Sequence, residues 1–333
     1  MQLHLLRRTL PAAAAGLLAL STTGCMMVSL KSLMTKPELR ETVVDKDPHW
    51  LTDGKVLLVD IGGIIAEERG GGLFSLSGVC CTPDYVKSVL NRAKRDPAVR
   101  AVILRIDSPG GTVGASELIA REVRIFRAET RIPVYAQITG LGCSGGYYVA
   151  AAAEKIHIQK SGITGSIGVI ASLPNFRKLA DKVGYDQTVV KSGAMKDIGS
   201  AMRTMTPEER AIFQTMIDSS YDQFLAWIVE NRPQLESTAK LKPIADGRIY
   251  TADQALANQL VDRVAFLDET IAAVKQAAHL AAADVVIYGY DEPGDPNIYT
   301  HASAAGSGIR LFNAELPLPS ARPGFYYLWS TGL

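Results

Sequence analysis

Short apolar runs rich in β-branched residues recur along this chain, and each stops at glycine. Residues 55–61 (KVLLVDI) end at Gly62-Gly63. Residues 99–106 (VRAVILRI) end at Asp107-Ser108-Pro109-Gly110-Gly111, and residues 132–138 (IPVYAQI) break at Gly140. Runs this short and this apolar read as buried strands. Between them the period changes to that of a helix. Thr82-Pro83 reads as N-cap and first helical residue, followed by Val86, Val89, Leu90 and Ala93. Leu118, Ile119, Val123 and Phe126 mark the next helix. Strands alternating with helices require an α/β architecture.

Further along, residues 155–159, 167–171 and 187–191 are expected as short strands. Thr206-Pro207-Glu208-Glu209 is a capping box. It opens a long helix with an apolar stripe through Phe213, Met216, Ile217, Phe224 and Ile228. Thr251 and Gln254 suggest a second box, and residues 284–290 a last strand. From Asp291 the chain is rich in Pro, Gly and Ser and reads as an extended tail, residues 291–333. The main domain is placed at residues 55–290, with a helical extension, after a linker at residues 31–54.

With 35 Lys+Arg against 34 Asp+Glu in 333 residues, the balance argues against a nucleic-acid partner. Hydrophobic residues at 47% allow a sizeable core. Cys25, Cys80, Cys81 and Cys143 have neither disulfide-framework nor zinc-ligand spacing, and five histidines support no multi-histidine mechanism.

The N-terminus, residues 1–30, is an address. Arg7-Arg8 precede an uncharged run over residues 9–30, whose centre (LPAAAAGLLAL) reads as the apolar region of a signal sequence. Gly24-Cys25 resembles a bacterial lipobox, in which Cys25 would be lipidated, although Thr22 stands where Leu is usual. An uncleaved anchor helix is the rival. Ordinary cleavage of the signal is the third reading. All three place the bulk of the chain outside the cytoplasm, in the periplasm of a bacterial envelope, with the positive end inside.

Two glycine turns and a serine carry the chemistry. Gly110-Gly111 follows a strand and precedes a helix, so peptide N–H groups there can hold a developing negative charge. Cys143-Ser144-Gly145-Gly146 sets a hydroxyl at a strand-to-helix turn, with the Gly145 N–H as a second donor. Cys143 is a competing nucleophile, better suited to a small buried role. His157 is expected to face solvent or pack on the sheet edge, and His49, His279 and His301 lie far along the chain. A lysine can replace histidine when burial keeps its amine neutral. Lys196 fits, flanked by Gly193-Ala194-Met195 and Asp197-Ile198-Gly199; Lys191 competes, and spacing alone does not choose.

Five motifs, in order, resemble those of the S49 serine peptidases, the signal peptide peptidase A family. They are Leu104-Arg105-Ile106-Asp107-Ser108-Pro109-Gly110-Gly111, Ser144-Gly145-Gly146-Tyr147-Tyr148, Thr164-Gly165-Ser166-Ile167-Gly168-Val169, Lys196-Asp197-Ile198-Gly199-Ser200, and Asp246-Gly247-Arg248-Ile249-Tyr250-Thr251. Leu260-Val261-Asp262 follows, with Gln259 where the family has Gly. The resemblance implies a Clp protease/crotonase-like fold and a Ser/Lys dyad. Ser144 would be the nucleophile, Lys196 the general base, Ser166 the group that orients it, and the N–H groups of Gly111 and Gly145 the oxyanion hole. It implies the short single-domain form, often an octameric homo-oligomer whose active sites are shared between subunits. It implies no cofactor and no metal.

The implied substrates are residual signal peptides or other apolar membrane-associated peptides, bound extended. Tyr147, Leu118 and Met195 are candidate groove residues, and residues 69–74 (RGGGLF) a loop near the entrance. Competing readings are a membrane-protein quality-control protease of the same family, a catalytically silent scaffold lipoprotein, and a crotonase-like acyl-CoA enzyme. A Clp-type peptidase would need a histidine near position 169, which is Val. The tail, residues 316–333, could pack on a subunit or occupy a groove.

Overall fold

The computed structural model describes residues 38–67, 80–290, 293–302 and 324–328. The signal segment with Cys25 and the loop at residues 69–74 therefore lie outside the described residues. From Arg40 onward the chain forms one compact unit.

Its centre is a sheet of β1 (Arg40–Asp45), β2 (Gly54–Ile65), β4 (Val99–Thr112), β5 (Val134–Cys143), β6 (Lys155–Ile158), β10 (Arg263–Val264) and β11 (Ala283–Gly289), in the order β1-β11-β2-β4-β5-β6-β10. Every neighbouring pair on this path is parallel except β1–β11. Parallel strands need crossovers that cover both faces, which is why the central strands are apolar without alternation. Val56–Val59 and Ala101–Leu104 are buried throughout. One face is covered by α1 (Pro83–Arg95) and α2 (Val113–Thr130), which pack together. The other carries the later helix Leu267–Ala277, whose Leu267, Ile271 and Val274 pack with Val56, Leu58, Ala101, Ile103, Val285 and Ile287.

The start of α1 follows its sequence signal: the Thr82 side chain accepts from the Tyr85 N–H at 3.3 Å, and Pro83 sits in the first turn. β3 (Cys80–Cys81) pairs with the end of β2, and three short strands, β7 (Ile163–Gly165), β8 (Ile170–Ser172) and β9 (Ile249–Thr251), extend the sheet beyond α3 (Gly145–Ala150). Next come α4 (Arg177–Val183) and the long α5 (Pro207–Asn231). The capping boxes expected at Thr206 and Thr251 are both present. The last described strand is β12 (Gly324–Leu328), which pairs antiparallel with both β4 and β8.

Several expectations change. The segment read as a turn at Asp107-Ser108-Pro109-Gly110-Gly111 is strand, because Ile64 and Ile65 of β2 pair with Gly110 and Gly111 across a register shift. The Ser108 hydroxyl, fully buried, donates to the Gly63 carbonyl at 2.6 Å and accepts from the Gly110 N–H at 3.1 Å, closing that irregularity. Residues 187–191 form no strand; Val190 is 96% exposed and no sheet neighbour lies alongside, so β propensity there has nothing to pair with. The stretch read as linker supplies β1, paired to β11. His157 is buried rather than solvent-facing, since β10 covers β6 on its outer side; its Nδ1 lies 2.8 Å from the Thr270 hydroxyl. The buried apolar residues of α5 lie in its C-terminal half, Phe224, Leu225, Trp227 and Ile228, while Phe213 and Ile217 are half-buried and Met216 is exposed.

Candidate active site

β5 ends at Cys143, and the chain turns into α3 through Ser144. Ser144 takes φ 51° and ψ −114°, a conformation that costs a non-glycine residue about 1–3 kcal/mol. The turn is held from outside: the Ser144 N–H donates to the Gly165 carbonyl at 2.8 Å, and the Tyr148 N–H donates to the Ser144 carbonyl at 2.9 Å. Its hydroxyl makes no hydrogen bond with a described residue. A strained serine at a strand-to-helix turn, with an uncommitted hydroxyl, is what a nucleophile on this architecture requires.

Gly145 cannot be replaced without disturbing its surroundings. A Cβ there would overlap the Ser116 hydroxyl and stand 3.1 Å from the Gly111 nitrogen and 3.2 Å from the Tyr327 carbonyl oxygen. A Cβ on Gly110, at φ +107°, would overlap that same carbonyl oxygen and lie 2.8 Å from the Gly145 nitrogen. Gly111 is pressed equally hard on its other side, against the Ile65 carbonyl. The structure thus brings the Gly111 and Gly145 amides to one spot, beside Ser144.

Ser166 follows β7 with φ 49°, and its N–H donates to the Arg248 carbonyl at 2.7 Å. Since β7 pairs with the end of β5, Cys143 opposite Gly165, Ser166 stands next to the Ser144 turn. Both serines are buried.

Lys196 lies on a short 3-10 turn, Ala194–Asp197. In the single chain it is exposed, and its side chain makes no hydrogen bond or ion pair with a described residue. The burial that the sequence argument demanded of the base is not supplied within one chain. Lys191 is committed: its amine bonds the Asp197 carboxylate at 2.5 Å and the Ala194 carbonyl at 2.9 Å.

The other candidates separate clearly. Burial pushes the Cys143 thiol up to about 12, so it stays protonated at neutral pH and is a poor nucleophile. Cys81 is buried too. Burial lowers His157 to about 4. His49 sits on Asp47, and His301 lies 3.2 Å from Asp60. Tyr147 belongs to the core, with its hydroxyl on the Leu260 carbonyl at 2.8 Å, so it lines no groove. Leu118 is 45% exposed and Met195 half-buried.

Across the glycines lies β12. Tyr327 pairs with Gly111, Leu328 with Gly110 and Phe325 with Ala171, so the strand fills the space between β4 and β8. Tyr327 is fully buried; its ring stacks on Tyr148 at 5.4 Å, meets Phe224 at 4.5 Å, and its hydroxyl donates to the Ser220 carbonyl at 3.0 Å. Phe325 leans toward Phe213, 6.2 Å away. The sequence marked neither Ser116 nor Phe224 and Ser220 as part of this region. Ser116 carried no local signal, because its role is to face a glycine on another helix.

A family model described as peptidase family S49 matches residues 127–281. A protein of Enterococcus faecium named for signal peptide peptidase SppA is 33% identical over 240 residues, 72% of this chain and 68% of that one. A Synechocystis protein named as a protease is 39% identical over 212 residues, 63% of this chain and 74% of that one. Protease 4 of Salmonella typhi is 31% identical over 244 residues but only 37% of its length is covered. A solved 1510-N membrane-bound stomatin-specific protease covers 67% of this chain at 17% identity, with a TM-score of 0.41.

Proposed function

Because the chain belongs to peptidase family S49, we propose that it is a serine endopeptidase in which Ser144 is the nucleophile and Lys196 the general base. The observation that carries the proposal is the seat of β12. An extended peptide already lies antiparallel on Gly110–Thr112, and its Tyr327 carbonyl oxygen lies where a Cβ on Gly110 would overlap it and 3.2 Å from where one on Gly145 would stand. A substrate added as a strand in the same place would present its scissile carbonyl to the Gly111 and Gly145 amides. Ser144 lies alongside.

The mechanism follows from those positions. Neutral Lys196 takes the Ser144 proton as Oγ attacks the carbonyl carbon. The oxyanion is held by the two glycine amides, where one donor is typically worth about 3–4 kcal/mol. Collapse expels the amine, protonated by Lys196, and leaves an acyl-Ser144. Water activated by the same lysine then releases the acid. Ser166 orients the lysine.

The apolar seat of β12, where Tyr327 packs on Tyr148 and Phe224, supports apolar peptides as substrates, residual signal peptides or other membrane-associated segments among them. The apolar leader over residues 9–30 and relatives named as signal peptide peptidases support a bacterial envelope location, with the catalytic domain in the periplasm and the N-terminus as lipoprotein or anchor. No helix among the described residues is long and apolar enough to cross a membrane. A homo-oligomer with active sites shared between copies is supported by the exposed Lys196 and by Phe176, Leu179, Val183, Tyr185 and Val190, all exposed around the same arm. Assembly would bury the lysine and so keep its amine neutral.

The test is cleavage of an apolar fluorogenic peptide by the full chain in detergent, beside Ser144→Ala and Lys196→Ala. Loss of activity in both variants, with folding intact, supports the dyad. An active Lys196→Ala variant removes it.

A further inference from the structure

We propose that Arg203 is a positioning residue for the general base: it anchors the turn carrying Lys196 to the start of α5 and neutralises the Asp197 carboxylate beside the lysine. The inference rests on the reading of Lys196 as that base.

Asp197 directly follows Lys196 on the same 3-10 turn, so its carboxylate is carried by the backbone that carries the lysine. That charge is committed elsewhere. Arg203 donates from Nε to Oδ2 at 2.9 Å, from Nη2 to Oδ1 at 2.9 Å, and from Nη2 to the Asp197 carbonyl at 3.0 Å. Lys191 bonds Oδ1 from the other side at 2.5 Å. The Arg203 and Lys191 contacts hold the Asp197 carboxyl well below the usual carboxylate range.

Arg203 has a second carboxylate. Its Nη1 donates to Glu209 Oε2 at 2.8 Å, and its Nη2 bonds Oε1. The Glu209 side chain is 2% exposed and also accepts from the Thr206 N–H at 2.9 Å in the capping box of α5. One guanidinium therefore spans from the lysine's turn to the first turn of a long helix. Arginine suits this place because its planar fork meets two carboxylates at once.

The four charges Lys191, Asp197, Arg203 and Glu209 compensate one another and leave Lys196 without an ion pair among the described residues. Three further charged groups line the cavity that Asp197 and Arg203 share. Arg177 and Asp181 of α4 pair with each other at 2.9 Å, and Asp186 lines the same cavity of about 180 Å³. A lysine acts as a base only when neutral, and an uncompensated carboxylate nearby favours its protonated form. Removing Arg203 would leave Asp197 with Lys191 alone and its charge in part uncompensated.

The test is kcat/KM on an apolar quenched peptide, measured with the full chain in detergent from about pH 6 to about pH 11. Arg203→Gln is expected to lose about tenfold near pH 7 and to come within about threefold of wild type near pH 10. The double variant Arg203→Gln with Asp197→Asn should regain most of the loss near pH 7, because the freed carboxylate is gone. Arg203→Lys should fall between. A loss equal at every pH, or no recovery in the double variant, would make Arg203 a structural clamp and overturn the proposal. If Arg203→Gln fails to fold, Lys191→Met carries the test: it keeps the clamp and removes one cation, so a smaller loss in the same direction is expected, and an unmoved profile overturns the idea. Lys196→Ala run alongside separates the two layers. If it is active, the base assignment falls and this proposal with it; if it is dead while Arg203→Gln parallels wild type, only the positioning role falls.

Discussion

The amide nitrogen of Gly111 lies 3.1 Å from where a Cβ on Gly145 would stand, so a strand end and a helix start meet back to back beside Ser144. Neither glycine has room for a side chain: the Ser116 hydroxyl closes one and the Ile65 carbonyl the other. The two N–H groups are fixed before any substrate arrives, which is the condition under which such donors stabilise a developing charge.

Gly145→Ala should therefore fold but catalyse badly. The methyl would push on Ser116, whose hydroxyl is already bonded to the Thr112 carbonyl at 2.9 Å. A fall of about 10²–10³ in kcat is expected, the usual cost of one oxyanion donor. Steady-state kinetics with a circular-dichroism control checks it. Activity within a few-fold of wild type would remove Gly145 from the oxyanion hole.

Deleting residues 324–333 should raise the rate on a short apolar peptide, because β12 holds the place proposed for substrate. The same deletion should lower thermal stability, since it removes the fully buried Tyr327 from its packing on Tyr148 and Phe224; loss of one buried aromatic side chain costs about 3–5 kcal/mol. A peptide rate that drops in a folded deletion variant would show that the strand completes the site.

Cys143→Ala should keep its activity, and a thiol alkylating agent at neutral pH should not inactivate the wild type. The thiol is pushed up to about 12 by burial and its hydrogen bond runs to the Ile163 carbonyl. Inactivation that tracks modification of Cys143 would return it to the list of nucleophiles.

His157 sets an acid limit on stability. Its folded value is lowered to about 4, chiefly by burial, whereas an unfolded histidine titrates near 6.5. Between those two values the unfolded chain binds a proton that the folded chain does not. Stability must then decrease as pH falls through that window, and this group takes nothing further below it. Thermal melts should show the decline in wild type and a shallower one in His157→Gln. Equal slopes would mean that other groups dominate.

Local patterning found the core strands at 55–61, 99–106 and 132–138 but not their ends: β2 runs on through Gly62-Gly63 to Ile65 and β5 through Gly140 to Cys143, because neighbouring strands pair there. It also read the caps at Thr82, Thr206 and Thr251, where the bond partner is only three residues away. Where the partner is distant, local signals failed. Gly110-Gly111 looks like a turn until β2 and β12 are laid beside it. His157 looks like an edge residue until β10 covers it.

By itself, the sequence determined the α/β alternation, the family through its ordered motifs, and the residue types able to do the chemistry, since each depends on composition and spacing within one segment. Tertiary structure alone decided which groups meet. It put the Gly111 amide against Gly145 and laid the C-terminal strand across both. Those outcomes depend on contacts between segments far apart in the chain, whose closure is governed by the packing of the whole sheet and helices.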